Sequence, residues 1–486
     1  MRHVLLAILA LLPLTSACAG ERPALDESAA REVEALDPAS EAAGNEATEE
    51  SLTVRLAVPE DWSLDPADAG AASLTNRVVA DLLYEGLTSF TEAGVPAPAL
   101  AERWFVSDDR LTWTFVLSES LADGAGDPIN ARHVKSSLER VAARGPADQA
   151  ATALTVISGW TDAMTGRAGG VAGISAPNST TLVIRLDAPF ELLLDVLASP
   201  AFGITGPGDD ANLRNTGAFA ATDDPAVFAT TDPDSAVARV EFVSDVRSPA
   251  AALADGAADW AVLDTGEGAV GLDADIIRQP LELELAVVVR SPIEEARLGL
   301  LASLDSLSLA SAIDGLTARS NGPQPDVGAA PDVALVEIPS GELQRLSEAI
   351  IEQLESAGIT VLPIASAVND FAGRVAGGEA LLFPIVVAGG TGPASAVLRF
   401  GVPGATDDVF GPQSPARAEL AEAVVTEFDI EQRGVFIEAL ERTLINEGLL
   451  LPIGQFEVRV ALSHRLEGMR HRADGTLDLS AVAFAY

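Results

Sequence analysis

Leu82-Leu83-Tyr84-Glu85-Gly86-Leu87-Thr88-Ser89-Phe90 opens a stretch that runs to Val141 and decides the fold. A short turn leads to Val95-Pro96-Ala97-Pro98-Ala99-Leu100-Ala101-Glu102-Arg103-Trp104. Ser107-Asp108-Asp109-Arg110-Leu111-Thr112-Trp113-Thr114-Phe115-Val116-Leu117 follows. Leu111, Trp113, Phe115 and Leu117 alternate with Thr112, Thr114 and Val116, which predicts a strand with one buried face. Ser107-Asp108-Asp109 is the turn that feeds it. After an Asp123-Gly124 turn, Ala131, Val134, Ser137, Leu138 and Val141 recur at helical spacing, with Asn130 placed to cap the first turn.

This order resembles the solute-binding proteins of bacterial ABC importers, in the extracellular solute-binding family 5 branch that carries oligopeptides, dipeptides and nickel. Members read "EGL…G…PALAE.W..S.D..T.TF.L…DG.P..A.DV..S". Glu85-Gly86-Leu87, Pro98-Ala99-Leu100-Ala101-Glu102, Trp104, Ser107, Asp109, Thr112, Phe115 and Val134 fall in the matching places. The resemblance implies a two-lobed α/β fold of the periplasmic-binding-protein kind, type II, in the large class with an extra subdomain. Its sheets would be mixed, with the ligand cleft between the lobes. The implied boundaries are 51–285 plus 456–486 for the first lobe, with an inserted subdomain at about 80–180, and 286–455 for the second.

Upstream, Met1-Arg2-His3 and a mostly apolar run over residues 4–14 suit a secretory signal peptide, 1–17, too short to span a bilayer. Leu14-Thr15-Ser16-Ala17-Cys18 resembles a lipobox, whose cysteine becomes lipidated and anchors the chain to the outer face of the cell membrane. Ala17-Cys18-Ala19 also fits ordinary signal cleavage. Cys18 is the sole cysteine, which rules out an internal disulfide and any Cys-based zinc site. Residues 19–50 carry ten acidic and two basic side chains and few large apolar groups, so 18–50 reads as a solvated, disordered tether.

The remaining residues exceed one ordinary domain and can build two cores. A net charge of −42 repels nucleic acid and an anionic membrane surface alike, so neither is an expected partner. The resemblance implies instead a small solute, with peptide as the family default, and the permease subunits as partners of a monomeric chain. Lys135 is the only lysine.

Along the chain, residues 53–58 alternate as a strand and lead into Glu60-Asp61-Trp62-Ser63-Leu64-Asp65-Pro66. In the family the residues before "LDP" touch the ligand, which nominates Glu60 and Trp62. Asn215-Thr216-Gly217-Ala218-Phe219 stands where members read "GTGPY", which nominates Asn215 and Phe219 although Asn215 and Ala218 depart from the pattern. Gly266-Glu267-Gly268-Ala269-Val270-Gly271 spells a dinucleotide fingerprint, but the segment up to Pro280 is too short for the helix that must receive a pyrophosphate.

Residues 281–290 read as the crossing to the second lobe. Residues 333–338, 342–357 and 359–364 form a βαβ unit with a parallel pair. Strand 381–387 then leads to Ala388-Gly389-Gly390-Thr391-Gly392-Pro393, which nominates Thr391 and Gly392. In peptide-binding members this loop supplies an aspartate for the peptide's α-ammonium, whereas no acidic residue stands here between Glu379 and Asp407. Backbone amides of such a loop favour an anionic or neutral ligand. Asp429-Ile430-Glu431-Gln432 caps a helix through Glu447, and residues 449–453 continue as a strand.

The chain carries no His-Glu-x-x-His, Gly-x-Ser-x-Gly or Walker loop, so no catalytic residue, cofactor or metal is expected. His464, Met469 and His471 are a remote nickel or copper option against the plainer reading of a polar loop. The leading reading is a substrate-binding lipoprotein of an ABC importer. The alternatives are a family-derived surface lipoprotein that senses or scaffolds without transport, and a secreted hydrolase.

Overall fold

The computed structural model describes residues 52–60, 62–69, 73–91, 95–144, 154–207, 213–244, 248–263, 272–313, 315–319, 331–337, 341–365, 379–388, 410, 414–427, 429–472 and 475–485. The stretches around Cys18, the glycines of 266–271 and Thr391-Gly392 lie outside them.

One mixed sheet organises the described residues. Its path runs Val361–Ala365, Val333–Glu337, Leu381–Ala388, Ala274–Arg290, Leu450–Ser463, Trp260–Leu263, Leu52–Ala57, Val237–Val243, Val227–Thr230, Phe219–Ala221. The two long strands in the middle belong to both halves. Ala274–Arg290 and Leu450–Ser463 are antiparallel along their length, but the register breaks twice. Pro280 faces Glu457 and Glu284 faces Gln455, so residues 281–283 oppose Phe456 alone. The second break falls between Leu285 and Ala286, where the partner is Pro452. Proline cannot donate to a ladder and is confined within sheets to edges and bulges, so both breaks sit where the sequence demands them.

Each half-sheet is covered on both faces. In the half with the parallel pair Val333–Glu337 and Val361–Ala365, helix Gly341–Ser356 buries Leu346, Ile350 and Leu354 on one face. Helices Pro415–Thr426 and Ile430–Asn446 bury Val424, Leu440 and Leu444 on the other. Gly358, at φ 80°, lets the chain leave the first of these helices without a Cβ penalty. In the other half, helix Leu74–Leu83 starts at Ser73, whose hydroxyl accepts from the Asn76 amide at 3.2 Å, and packs Leu74, Val78 and Leu82 with Val54, Val240 and Trp260.

The stretch that opens the sequence reading forms a separate core. Strands Ala101–Val106, Thr112–Leu117, Thr181–Arg185 and Ile174–Ser175 make an antiparallel sheet, which helix Ala131–Arg144 covers. Trp113, Phe115 and Leu117 are buried, as are Ala131, Val134, Ser137, Leu138 and Val141. This core runs on to Ile204, past the expected limit near 180. The segment before Pro280, judged too short for a pyrophosphate-binding helix, is the start of the long strand at Ala274. Helix Pro415–Thr426 was not anticipated. The structure is the mixed α/β arrangement expected from the sequence, with the two halves joined by crossing strands.

Candidate functional site

In open α/β sheets, ligands sit outside the carboxyl ends of parallel strands, where neighbouring loops diverge. Leu52–Ala57 is parallel to both Val237–Val243 and Trp260–Leu263, so the loop leaving Leu52–Ala57 occupies that position. Glu60 is exposed on it, and Trp62 is half-buried with its ring 5.0 Å from that of Phe242.

The loop is held from two sides. Ser63 donates its amide to Asn76 Oδ1 (3.1 Å) and its hydroxyl to Asp68 Oδ2 (2.7 Å). Asp65 accepts the Ala67 amide at 2.9 Å, capping the short turn Pro66–Asp68. The same carboxylate takes Arg140 Nη1 on both oxygens, at 3.0 and 2.9 Å, and Arg144 Nη1 at 3.3 Å. Both arginines come from the helix Ala131–Arg144 of the separate core around Trp113 and Phe115, so the loop that presents Trp62 is fastened to that core by charge. Tyr84 lies beside this pair. Burial, together with the Asp65 charge, pushes its phenol well above the usual range.

Asn215 and Phe219 lie elsewhere. Asn215 is buried, and its Oδ1 accepts the Ala221 amide at 3.1 Å while its carbonyl takes the Gly124 amide at 2.8 Å. A Cβ at Gly124 would come within 2.3 Å of the Ala220 Cβ, which is why that turn needs glycine. Phe219 is buried in the core with Leu82 and Val240. The structure thus brings Glu60 and Trp62 together on one loop and sets Asn215 and Phe219 in the supporting framework. Thr391 and Gly392 fall outside the described residues.

His464, Met469 and His471 do not converge. His464 is exposed between Asp273 (Nδ1 to Oδ1, 2.8 Å) and Asp275 (Nε2 to Oδ1, 3.1 Å), whose hydrogen bonds raise its pKa. Met469 is buried. His471 accepts the Trp260 indole N–H at 2.9 Å and meets the Gly475 carbonyl through Nδ1 at 2.7 Å. A cavity of about 900 Å³ lies against the helix Ala131–Arg144, lined among others by Ser137, Arg140 and Thr205. Arg140 and Arg144, its cations, are engaged by Asp65 and Asp68, and it is not at the strand ends. It is therefore a weaker candidate than the Trp62 loop.

Sequence reasoning missed the fastening by Asp65, Arg140 and Arg144. The only available signal was the pair of arginines four apart on a helix that otherwise turns polar residues outward.

Residues 95–262 match the family described as bacterial extracellular solute-binding proteins, family 5, middle. A glutathione-binding protein, GsiB, of Escherichia coli O1:K1 is 32% identical over 145 residues, 30% of this chain and 25% of that protein. The dipeptide-binding protein DppE of Bacillus subtilis is 30% identical over 121 residues, 25% of this chain and 22% of that one. The chain thus aligns with about a quarter of the length of these curated relatives. Both are binding proteins by name. A solved structure of the murein tripeptide binding protein MppA in an unliganded open form superposes with a TM-score of 0.68 at 17% identity, over 90% of this chain and 98% of that one, which shows a shared two-lobed fold. The segment 95–262 is thus similar to the middle region of the bacterial extracellular solute-binding proteins, family 5.

Proposed function

We propose that this chain captures a small solute between its two half-sheets, closes by bending at the crossing strands, and hands the solute to the membrane subunits of an ABC importer. The observation that carries this is the coincident weakness of both crossing strands. The register of Ala274–Arg290 against Leu450–Ser463 lapses over residues 281–283 opposite Phe456, midway between two separately packed cores. A hinge needs a few residues that can absorb dihedral change between rigid bodies. We take lobe boundaries near 285 and 456 on that basis.

The contacting residues in this reading are Glu60 and Trp62 from the first lobe, with Thr391 and Gly392 from the second. Phe219 belongs to the core against which Trp62 packs, and Asn215 braces the Gly124 turn. Cys18 carries the lipid that keeps the receptor at the outer face of the membrane, and the acidic tether 18–50 gives it reach. Glutathione- and dipeptide-binding relatives favour a peptide-like solute, and the absence of an acidic residue between Glu379 and Asp407 favours one without a free α-ammonium. A sensing lipoprotein without transport is the second reading, motivated by the departures at Asn215 and Ala218.

A thermal-shift panel of free and N-blocked peptides, glutathione, sugars, nickel complexes and small anions tests the proposal. One class is expected to raise the melting temperature in proportion to the logarithm of its concentration. With that ligand, Trp62→Ala is expected to weaken affinity on the order of tenfold. Silence across the panel would sink solute capture and leave the sensing reading.

A further inference from the structure

We propose that the contact between residues 190–197 of the inserted core and the carboxyl end of helix Pro415–Thr426 is a proton-sensitive latch between the inserted subdomain and the second lobe. It rests on the fold and not on which solute binds.

The last turn of any α-helix has carbonyls without intrahelical partners and carries partial negative charge. Here two of those carbonyls are met from across the lobes. The Glu191 amide donates to the Val425 carbonyl at 2.8 Å, and Arg110 Nη1 to the Thr426 carbonyl at 3.1 Å. Val425 is itself buried in the inserted core, with Phe190 and Val196. Arg433, from the following helix Ile430–Asn446, donates Nε to the Glu427 carbonyl at 3.0 Å and stands 3.5 Å from Asp195 Oδ2. Arg110 holds a left-handed backbone, φ 60°, at the turn before strand Thr112–Leu117 and stands 3.4 Å from Glu191 Oε1.

The charges in this contact are incompletely satisfied. Glu191 and Asp195 are buried, and both Glu191 oxygens and Asp195 Oδ1 have no hydrogen bond among the described residues. A buried carboxylate so poorly matched favours its neutral form. Burial, opposed by Arg110 and Arg433, pushes Glu191 up to about 7, and burial, opposed by Arg433, pushes Asp195 up to about 6. Among the described residues, the charged groups facing the acids are those two arginines. Glu427 presents only its main-chain carbonyl, its carboxylate accepting the Asp429 amide, and strand Thr88–Phe90 presents the Thr88 hydroxyl to the Leu194 carbonyl.

The sign follows from linkage. When the latch opens, both acids reach water and return toward their ordinary values, so the latched form binds more protons. Acidification from pH 7.5 to 5.5 therefore favours the latched form, roughly twentyfold through Glu191 and fourfold through Asp195, on the order of a hundredfold together in its ratio to the open one.

The test uses the full chain with Cys18→Ser, Arg132→Cys and Glu438→Cys, labelled with a dye pair across the contact from two exposed helix positions. Single-molecule energy transfer at pH 7.5 and 5.5 should show the short-distance population gaining over the long one at the lower pH. Glu191→Gln combined with Asp195→Asn should hold the short-distance population at both values. A parent distribution that does not move with pH overturns the latch, as does a shift that survives in the double variant. The parent measurement needs no change in the contact itself, and its failure would leave the solute-capture reading untouched.

Discussion

Replacing Asp65 separates two contributions to the loop that carries Trp62. In Asp65→Ala the turn Pro66–Asp68 loses its cap, worth about 1 kcal/mol. Arg140 loses a carboxylate bonded at 3.0 and 2.9 Å, with only 15% of the Arg140 side chain and 11% of that of Asp65 exposed. Hydrogen bonds to charged groups contribute about 1.5–3 kcal/mol when little water can replace them. The Arg144 contact adds little, because that side chain is 47% exposed. The total is about 2.5–4 kcal/mol. Asp65→Asn retains a good capping group and should lose only the charged part, about 1.5–3 kcal/mol.

Urea unfolding followed by tryptophan fluorescence and by circular dichroism measures both variants. The two probes must coincide for a single free energy to apply to a chain with several cores. A loss below about 1 kcal/mol in Asp65→Ala would refute the claim that this carboxylate fastens the loop. Equal losses in the Ala and Asn variants would refute the separation into cap and charge.

Two further perturbations probe the carboxyl-terminal region. His471→Phe leaves the buried Trp260 indole N–H without its acceptor and should cost about 1–3 kcal/mol in the same unfolding assay; an unchanged midpoint would show that the bond contributes nothing. His464 should titrate above the ordinary histidine value in a proton NMR titration, with Asp273→Asn moving it down. Because the folded value is raised, its stabilising contribution is complete below the unfolded pKa and fades as pH rises through the folded one; a titration at the ordinary value would remove the carboxylate pair as the cause.

What was legible in the sequence was whatever depends on neighbours in the chain. The alternation from Leu111 to Leu117 and the helical spacing from Ala131 to Val141 reappear as a half-buried strand and a covered helix, because a single buried face imposes its period on the residues. Asp429 caps its helix through the Gln432 amide, as the local pattern implies. The crossing strands were harder. They are long and largely buried, so alternation is weak, and Pro280 looks like an end when it is a break inside a continuous strand.

The charged framework was not legible at all. Asp65 and Arg140 are 75 positions apart, and Asp195 and Arg433 are 238 apart, so nothing local marks them as partners. Asn215 and Phe219 illustrate the opposite error of emphasis. Their motif marks a place in the fold, and the side chains there are used to close a turn and fill a core.

The crossing strands also order events in time. Trp260–Leu263 completes its half of the sheet by pairing with Leu450–Ser463, and fully buried Asp259 is gripped by Arg465, 206 residues later, at 2.7 and 2.6 Å. A chain emerging from the ribosome therefore carries an unfinished first half until residues 450–465 are made. The second half, whose parallel strands and helix are contiguous, can condense first. Contacts so distant in sequence make closure of the first half the slow step of folding and give chaperones a long interval in which to hold the chain.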